Sequence, residues 1–310
     1  MRRVSLITRI CYLALVAPCL AAARAGDIGS RLDGFRAEEG AIISAASDED
    51  DWSDHRTALE VAYERWFPEA LLGPLTKNAE KRELTNLFFE TLGYAMDVGK
   101  SEQGKVAVVF AALEEKGWAD DRLTGYMHRL LLTFRRFDEA KAFRQSHPQQ
   151  GLPAAPPIIP LSSTSGDDVR TVLRFINNGS ALEREAVDWQ SSSKVIVIGH
   201  PECHFSRDAV AAIASDPELA KAMSTVAIWL TPAFTSLTDG SVVVWNKENP
   251  TYAYRYVESD ADWPEVNYWG TPSFYFIKQG ELVKKVVGWP EDGRTDELWA
   301  GLRAIGLEAE

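Results

Sequence analysis

In the first half of the chain, apolar residues recur three or four positions apart, which is the spacing of amphipathic helices. Over residues 51–147 this pattern predicts four or five helices joined by short connections. One apolar face carries Trp52, Leu59, Tyr63, Trp66 and Phe67, and another carries Leu84, Leu87, Phe88, Thr91, Leu92 and Ala95. Residues 27–47 are polar and weakly periodic, so we expect a mobile lead or one short helix there. Together these patterns predict a helical domain over residues 27–147.

The pattern changes at a proline-rich stretch. Residues 148–165 contain five prolines and end in a cluster of serine and threonine. Prolines keep such a segment extended and semi-rigid, and the small polar residues break any regular periodicity. We predict that residues 148–165 are a linker and that a second domain occupies residues 166–310.

The second half alternates strand and helix patterns. Polar and apolar residues alternate around Asn178-Gly179, which predicts a β-hairpin. The apolar, β-branched run 194–199 predicts a strand covered on both faces. The elements that follow are a helical stretch over 207–223 that is one helix or two split at Pro217, a buried strand over 224–230, a strand-turn-strand around Gln279-Gly280, and a closing helix over 296–305.

Chain length indicates the number of domains, and net charge limits the classes of partner. The chain has 310 residues, which favours two domains, and 45% of them are hydrophobic, enough for packed cores. The formal net charge of −12 argues against nucleic acid and anionic membranes as partners.

The first 25 residues have the pattern of an export signal. Arg2, Arg3 and Arg9 form a basic start, the apolar stretch 10–23 is too short to span a bilayer comfortably, and small residues precede Gly26. We predict cleavage after residue 25 and an exported protein, periplasmic or secreted, with no membrane association after cleavage. An uncleaved membrane anchor is the alternative.

Export would leave one thiol. The chain has three cysteines, and two of them, Cys11 and Cys19, lie within the predicted signal. A single cysteine in an oxidising compartment indicates intermolecular pairing or a reactive thiol, whereas a buried, inert cysteine is the alternative. Cys203 follows the apolar strand instead of lying inside it, which favours the reactive thiol.

The position of Cys203 explains why its thiolate is favoured. It stands where the strand pattern ends and a helix pattern begins, and free backbone N–H groups at a helix N-terminus stabilise a negative charge. Ser206 lies one turn further along and can donate a hydroxyl hydrogen bond to Cys203. His204 either adds a positive charge when protonated or only faces solvent.

Residues 165–310 resemble the thioredoxin superfamily in three features: Cys203 and Ser206 at the start of a predicted helix, the segment Gly270-Thr271-Pro272, and the order of the predicted elements. The resemblance implies an α/β thioredoxin-like C-terminal domain, a mixed sheet with flanking helices, behind an all-α N-terminal domain. It implies that Pro272 is a cis-proline facing the active-site cysteine. The backbone of Thr271 is then expected to bind an extended client chain or other substrate by strand addition.

Two departures from that family limit the chemistry. Ser206 replaces the second, resolving cysteine, so a mixed disulfide on Cys203 needs an outside thiol for its release. Val197 occupies the strand position where the family has a buried acid. Cys-His-Phe-Ser resembles the motif of monothiol glutaredoxins and, more closely, Cys-x-x-Ser relatives of protein disulfide isomerase that trap clients.

The resulting hypothesis is monothiol thiol–disulfide exchange, with Cys203, Ser206 and His204 as catalytic residues and Thr271 and Pro272 as substrate-binding residues. The partner is a client protein or a small thiol such as glutathione, and neither a cofactor nor a metal is assigned. Two alternatives are open: a non-catalytic, chaperone-like binding module with a vestigial site, and a metal carrier using His200, Glu202, Cys203 and His204.

Two further segments are expected to bind partners or shape the site. Residues 135–148 resemble the second helix of a tetratricopeptide repeat, so the helical domain either binds a protein partner or is a plain bundle. An insertion at about residues 232–267 interrupts the thioredoxin-like pattern. Aromatic residues are dense in and just after the insertion, and they either pack the insertion itself or wall one side of the site: Trp245, Tyr252, Tyr254, Tyr256, Trp263, Tyr268 and Trp269.

Overall fold

A computed structural model describes residues 28–45, 52–99, 102–160, 170–187, 193–238 and 240–308. The predicted export signal at residues 1–25 lies outside the described residues. The described chain has a helical N-terminal region followed by an α/β region with mixed sheets, and this confirms the predicted fold class. Among the described helices, none combines the length and the apolar character needed to cross a membrane.

The N-terminal region is built from seven helices in its described part. They are α1 (Ile28–Ala45), α2 (Trp52–Trp66), α3 (Glu69–Asn78), α4 (Lys81–Val98), α5 (Gln103–Glu115), α6 (Asp121–Thr133) and α7 (Phe137–Ser146). Six of them lie within 51–147, where four or five were expected, because Pro68 and a second break before Lys81 set off the ten-residue α3. For residues 27–47 we expected a mobile lead or one short helix. The structure has a longer helix there, since α1 has 18 residues and buries Ile28, Leu32 and Phe35.

Aromatic rings form the centre of the helical core. Tyr63 on α2 stacks on Tyr94 of α4 with centroids 4.0 Å apart, and Phe35 of α1 meets Tyr63 edge-on at 5.3 Å. The hydroxyl of Tyr63 is hydrogen-bonded to the Thr91 hydroxyl at 2.7 Å, so its polar end is satisfied. Burial of such large side chains is the main stabilising contribution to a core of this kind, at roughly 1.5–3 kcal/mol per fully buried side chain.

Eight strands form two four-stranded sheets in the described part of the α/β region. The strands are β1 (Ile158–Ile159), β2 (Arg170–Ile176), β3 (Ala181–Val187), β4 (Lys194–Ile198), β5 (Ala227–Leu230), β6 (Tyr256–Val257), β7 (Ser273–Lys278) and β8 (Glu281–Val287). The sheet orders are β1-β3-β2-β6 and β5-β4-β7-β8. β4 runs parallel to β5 and antiparallel to β7, so the second sheet is mixed. Four helices complete the region: α8 (His204–Ser215), α9 (Pro217–Val226), α10 (Gly240–Glu248) and α11 (Thr295–Ala304).

Both predicted hairpins are confirmed. β2 and β3 pair antiparallel around residues 177–179, and β7 and β8 pair antiparallel around Gln279 and Gly280. The predicted linker, residues 148–165, contains a strand that was not expected, because Ile158–Ile159 form β1 and pair with β3. Two apolar residues that follow a proline pair can add to an open sheet edge, which the proline count alone did not indicate.

The two sheets meet through the insertion. Arg255, just before β6, forms a parallel bridge with Leu230 of β5. The Arg255 N–H donates to the Trp229 carbonyl at 2.9 Å, and the Thr231 N–H donates to the Arg255 carbonyl at 2.9 Å. The insertion is therefore part of the sheet framework and not a surface loop.

β4 is the central strand, and its two faces pack into different apolar clusters. Val195 and Val197 belong to one cluster, and Ile196 and Ile198 to the other, as the two-residue period of a strand requires. All four side chains are buried, which confirms the strand predicted from the β-branched run. Such a strand holds the segment that follows it, starting at Gly199, in a fixed position.

Arg135 connects the helical region to the α/β region. It lies after α6 with a φ of 59°, and its guanidinium donates to the carbonyls of Thr133 (2.7 Å), Thr235 (3.0 Å) and Val257 (3.2 Å). Burial lowers the pKa of Arg135 to about 10. A buried cation that serves carbonyls of both regions holds them in a defined arrangement, because leaving those carbonyls without a donor is costly.

Candidate functional site

Cys203 lies at the N-terminus of α8, as the sequence predicted. After β4 the chain turns, the Cys203 N–H donates to the His200 carbonyl at 3.0 Å, and α8 begins at the next residue. Cys203 is the N-cap, with an extended backbone (φ −81°, ψ 115°). Its side chain is half-buried, so the sulfur is shielded but still open to a reagent.

The segment before β7 lies opposite Cys203. The peptide bond between Thr271 and Pro272 is cis, and the Cys203 thiol donates to the Thr271 carbonyl with 3.6 Å between sulfur and oxygen. The Gly288 N–H donates to the Pro272 carbonyl at 2.8 Å, which holds the segment against the end of β8. The structure thus brings together Cys203, Thr271 and Pro272, which are 68 and 69 positions apart in the chain.

The surroundings of Cys203 favour its thiolate. Burial raises the pKa of Cys203, but hydrogen bonds from the Thr271 and Ser206 hydroxyls and from the backbone N–H groups of Ser206 and Phe205 outweigh burial. The pKa therefore lies below its ordinary value. Backbone N–H groups at a helix N-terminus have no intrahelical partner and are free to serve the sulfur.

Ser206 is buried beneath the turn. Its side chain is 2% exposed, and its hydroxyl oxygen accepts a hydrogen bond from the His200 N–H at 3.3 Å. The expected proximity of Ser206 to Cys203 is therefore present, and Ser206 also fixes the start of the turn.

His204 faces outward. It is exposed, and its ring centroid lies 3.8 Å from that of Phe205, which is 44% exposed. The largest contributions to the lowered pKa of Cys203 come from hydroxyls and backbone N–H groups. A catalytic role for His204 stays a prediction.

The donor-rich turn does not assemble a metal site. His200 Nδ1 accepts from the Glu202 N–H at 3.2 Å, so this nitrogen serves the turn itself. Across the residues that the structure describes, no group of three or more His, Cys, Asp and Glu side chains is placed to hold a metal ion. This geometry gives no support to the metal-carrier alternative.

Sequence reasoning listed Tyr254 among the aromatic residues of the insertion but did not single it out as the one near Cys203. Tyr254 comes from the insertion and is 1% exposed, and a Cβ built on Gly199 would lie 2.5 Å from its hydroxyl oxygen, so the phenol lies against the start of the turn that carries Cys203. Burial raises the pKa of Tyr254, and the nearby Cys203 charge raises it further. The sequence offered no signal to separate Tyr254 from its aromatic neighbours, because only the fold places it under the turn.

The described residues define the class: an α/β region with mixed sheets and a free thiol, Cys203, at the start of a helix, preceded by a helical region. Among solved structures, the chain is similar to a thioredoxin-like protein from Bacteroides caccae ATCC 43185, with 10% identity and a TM-score of 0.26 over 82% of this chain and 90% of that chain. No protein-family profile and no curated protein matches the sequence. At so low a TM-score the likeness carries no argument about the site, so its chemistry follows from this chain's own residues.

Proposed function

We propose that the protein is an exported thiol–disulfide exchange protein of the monothiol type. The observation that carries this proposal is the half-buried Cys203 at a helix N-terminus, with a lowered pKa and facing Thr271–Pro272. A lowered pKa increases the thiolate fraction at neutral pH, and the thiolate is the attacking species. Export fits this chemistry because disulfides persist outside the cytosol.

The exchange balances without a cofactor. The Cys203 thiolate attacks one sulfur of a partner disulfide, a new bond forms from Sγ to that sulfur, and the partner's S–S bond breaks. The other partner sulfur leaves as a thiolate and takes a proton from solvent. Because Ser206 cannot attack in turn, a second thiol from the partner or from solution must displace Cys203 and release the product.

The surroundings of Cys203 favour a client protein over a free small thiol as the natural partner. Phe205 is 44% exposed beside the sulfur and offers an apolar contact that a peptide can cover. Thr271 and Pro272 are proposed to line the path of an extended client segment. The helical region, held to the α/β region by Arg135, is proposed as a second surface for the same client.

Reaction with oxidised glutathione tests the proposal. The purified exported protein is incubated with oxidised glutathione, and peptide mass mapping locates the adduct. We expect one glutathionyl group on Cys203, with a rate that rises with pH and reaches half its maximum below about pH 8.5, the ordinary thiol value.

Cys203→Ser is the matched control and should take up no glutathione. A Cys203 that titrates at the ordinary value and resists oxidised glutathione would contradict the proposal and leave the non-catalytic binding module. Client capture distinguishes thiol exchange from non-catalytic binding. A binding module captures its partner equally well when Cys203 is replaced by alanine (Cys203→Ala) and when reductant is present.

A further inference from the structure

The segment that leads into β7 carries Thr271 to its place opposite Cys203 without regular structure of its own. Residues 266–272 form neither helix nor strand. They nevertheless bring the Thr271 carbonyl oxygen to 3.6 Å from the Cys203 sulfur. An irregular segment keeps such a position when other groups satisfy its backbone and hold it.

Two hydroxyls on one face of β7 hold this backbone. Ser273 and Tyr275 are two positions apart in the strand, so their side chains share a face. The Tyr275 hydroxyl donates to the Tyr268 carbonyl at 2.6 Å and accepts from the Tyr268 N–H at 3.1 Å. The Ser273 hydroxyl donates to the Gly270 carbonyl at 2.7 Å. Side chains of β7 therefore satisfy three backbone groups that a neighbouring strand would otherwise serve.

Tyr275 is itself fixed by the sheet. Its side chain is 0% exposed and packs in the apolar cluster that includes Ile196 and Ile198 of β4. β7 lies between β4 and β8, and Tyr275 is the register partner of Ile196. β4 also leads to the turn that carries Cys203. The Tyr275 hydroxyl thus ties residues 266–272 to the same strand framework that positions the thiol.

Further contacts hold the chain on both sides of Thr271. A Cβ built on Gly270 would overlap the Tyr268 ring, so this ring lies directly over Gly270, and glycine is needed for so close an approach. Upstream, the Arg170 guanidinium donates to both carboxylate oxygens of Glu265 at 2.7 and 2.9 Å. Because these contacts leave Thr271 little freedom, its position depends on the groups that hold its neighbours.

We propose that Tyr275 is a positioning residue for client binding: its hydroxyl holds the Tyr268 backbone and thereby sets where Thr271 meets an extended client segment beside the Cys203 sulfur. Tyr275 acts through the backbone of Tyr268 and not on the sulfur. The proposal rests on the proposed function, since it assigns what aligns the client whose disulfide Cys203 attacks. Reaction of Cys203 with a small reagent does not depend on this alignment.

Alkylation of Cys203 by two reagents tests the role of Tyr275. Free iodoacetamide reacts with the thiolate directly. A short peptide rich in valine and threonine, with an iodoacetyl group on a central side chain, binds as an extended strand before it alkylates, so its rate saturates with concentration. We expect Tyr275→Phe to raise the half-saturation concentration of the peptide about three- to tenfold, because hydrogen bonds that hold the binding segment are lost. The limiting rate with the peptide and the rate with free iodoacetamide should stay unchanged.

Ser273→Ala and Tyr63→Phe complete the set of variants. Ser273→Ala frees the Gly270 carbonyl and should raise the half-saturation concentration in the same direction, so it also serves if Tyr275→Phe does not fold. Tyr63→Phe is the matched control, since it removes a buried phenol hydroxyl in the helical core and should change neither reaction. The proposal is overturned if the peptide does not saturate the unaltered protein, or if a folded Tyr275→Phe keeps the original half-saturation concentration. It is also overturned if that variant slows both reagents equally, which would place the effect at the thiol.

The two proposals fail separately, because alkylation needs no disulfide exchange. A raised half-saturation concentration in a protein that takes up no glutathione contradicts the proposed function and keeps the role of Tyr275 in peptide binding. Glutathione uptake at Cys203, with a half-saturation concentration that Tyr275→Phe leaves unchanged, keeps the proposed function and removes the role of Tyr275.

Discussion

Two buried tyrosines, one in each region, have rings that are equally buried but hydroxyls in different surroundings. Tyr63 in the helical core and Tyr254 in the α/β core are each at most 1% exposed. Burial raises the pKa of both phenols. In burial the two side chains are alike.

The difference lies in what each hydroxyl meets. The Tyr63 hydroxyl is hydrogen-bonded to the Thr91 hydroxyl, which donates to the Leu87 carbonyl at 2.7 Å, so these hydrogen bonds end within α4. The Tyr254 hydroxyl instead lies against Gly199, at the start of the turn that carries Cys203. A buried phenol therefore lies within a helical core in one region and under the candidate site in the other.

Truncation of either tyrosine should have the largest effect. We expect Tyr63→Ala and Tyr254→Ala each to cost about 3–5 kcal/mol, because a large buried ring is lost and a cavity remains. The apolar clusters of the two regions are largely separate. Hydrogen exchange with mass spectrometry should therefore show lost protection mainly within 28–146 for Tyr63→Ala and within 193–308 for Tyr254→Ala. Equal loss in both regions for both variants would mean that the two cores unfold as one.

Gly199→Ala sharpens the comparison at smaller cost. The new Cβ meets the Tyr254 hydroxyl, so we expect a loss of about 1–3 kcal/mol in denaturant unfolding, together with a changed rate of Cys203 alkylation by iodoacetamide, because the clash lies at the start of the turn that carries Cys203. Tyr254→Phe in the same chain should restore part of the stability, since the shortest contact is to the hydroxyl oxygen.

Gly34→Ala is the control in the helical region, because its Cβ would meet the Trp66 ring at 2.4 Å. It should destabilise the protein without any change at Cys203. A rescue of Gly34→Ala by Tyr254→Phe would argue against a local clash at Gly199.

Raising the pH should produce the smallest loss of unfolding free energy, and both regions should contribute to it. A phenol whose pKa is raised in the folded state contributes stability that is fully present below its unfolded value, about 10, and is lost as the pH rises toward the folded pKa. Unfolding measured at pH 9 and pH 11 should therefore show a loss for the unmodified protein. Tyr63→Phe and Tyr254→Phe should each reduce that loss, and the idea fails if neither variant does.

Local patterns in the sequence were sufficient for most of the fold. The β-branched run became β4 because its residues suit a strand buried on both faces, and Gln279-Gly280 formed a hairpin turn because both residues adopt positive φ, 53° and 82°. The position of Cys203 after β4 followed from the same local signals. The likeness of residues 135–148 to a tetratricopeptide helix stays a prediction.

Long-range placements could not be predicted. In the sequence, Arg135 is one of two adjacent arginines and nothing nearby distinguishes it from a surface residue. Only the fold buries it among carbonyls of the α/β region. Tyr254 was one of several aromatic residues in the insertion, and each had the same local signal. Its position under Cys203 depends on the Leu230–Arg255 bridge, a tertiary contact that no local periodicity encodes.

The bridge between Leu230 and Arg255 also bears on self-association. It covers the outer edge of β5, so the joined sheets end on the two-residue β1 at one side and on β8 at the other. β8 carries Glu281, Lys284 and Lys285, and charged side chains on an edge strand discourage a second chain from adding there. Under the proposed function, an extended client segment binds beside Thr271 and Pro272, and charged edge strands keep that segment from adding to the sheet elsewhere. Replacing Lys284 and Lys285 by threonine should therefore promote filament or oligomer formation while the thiol chemistry is retained.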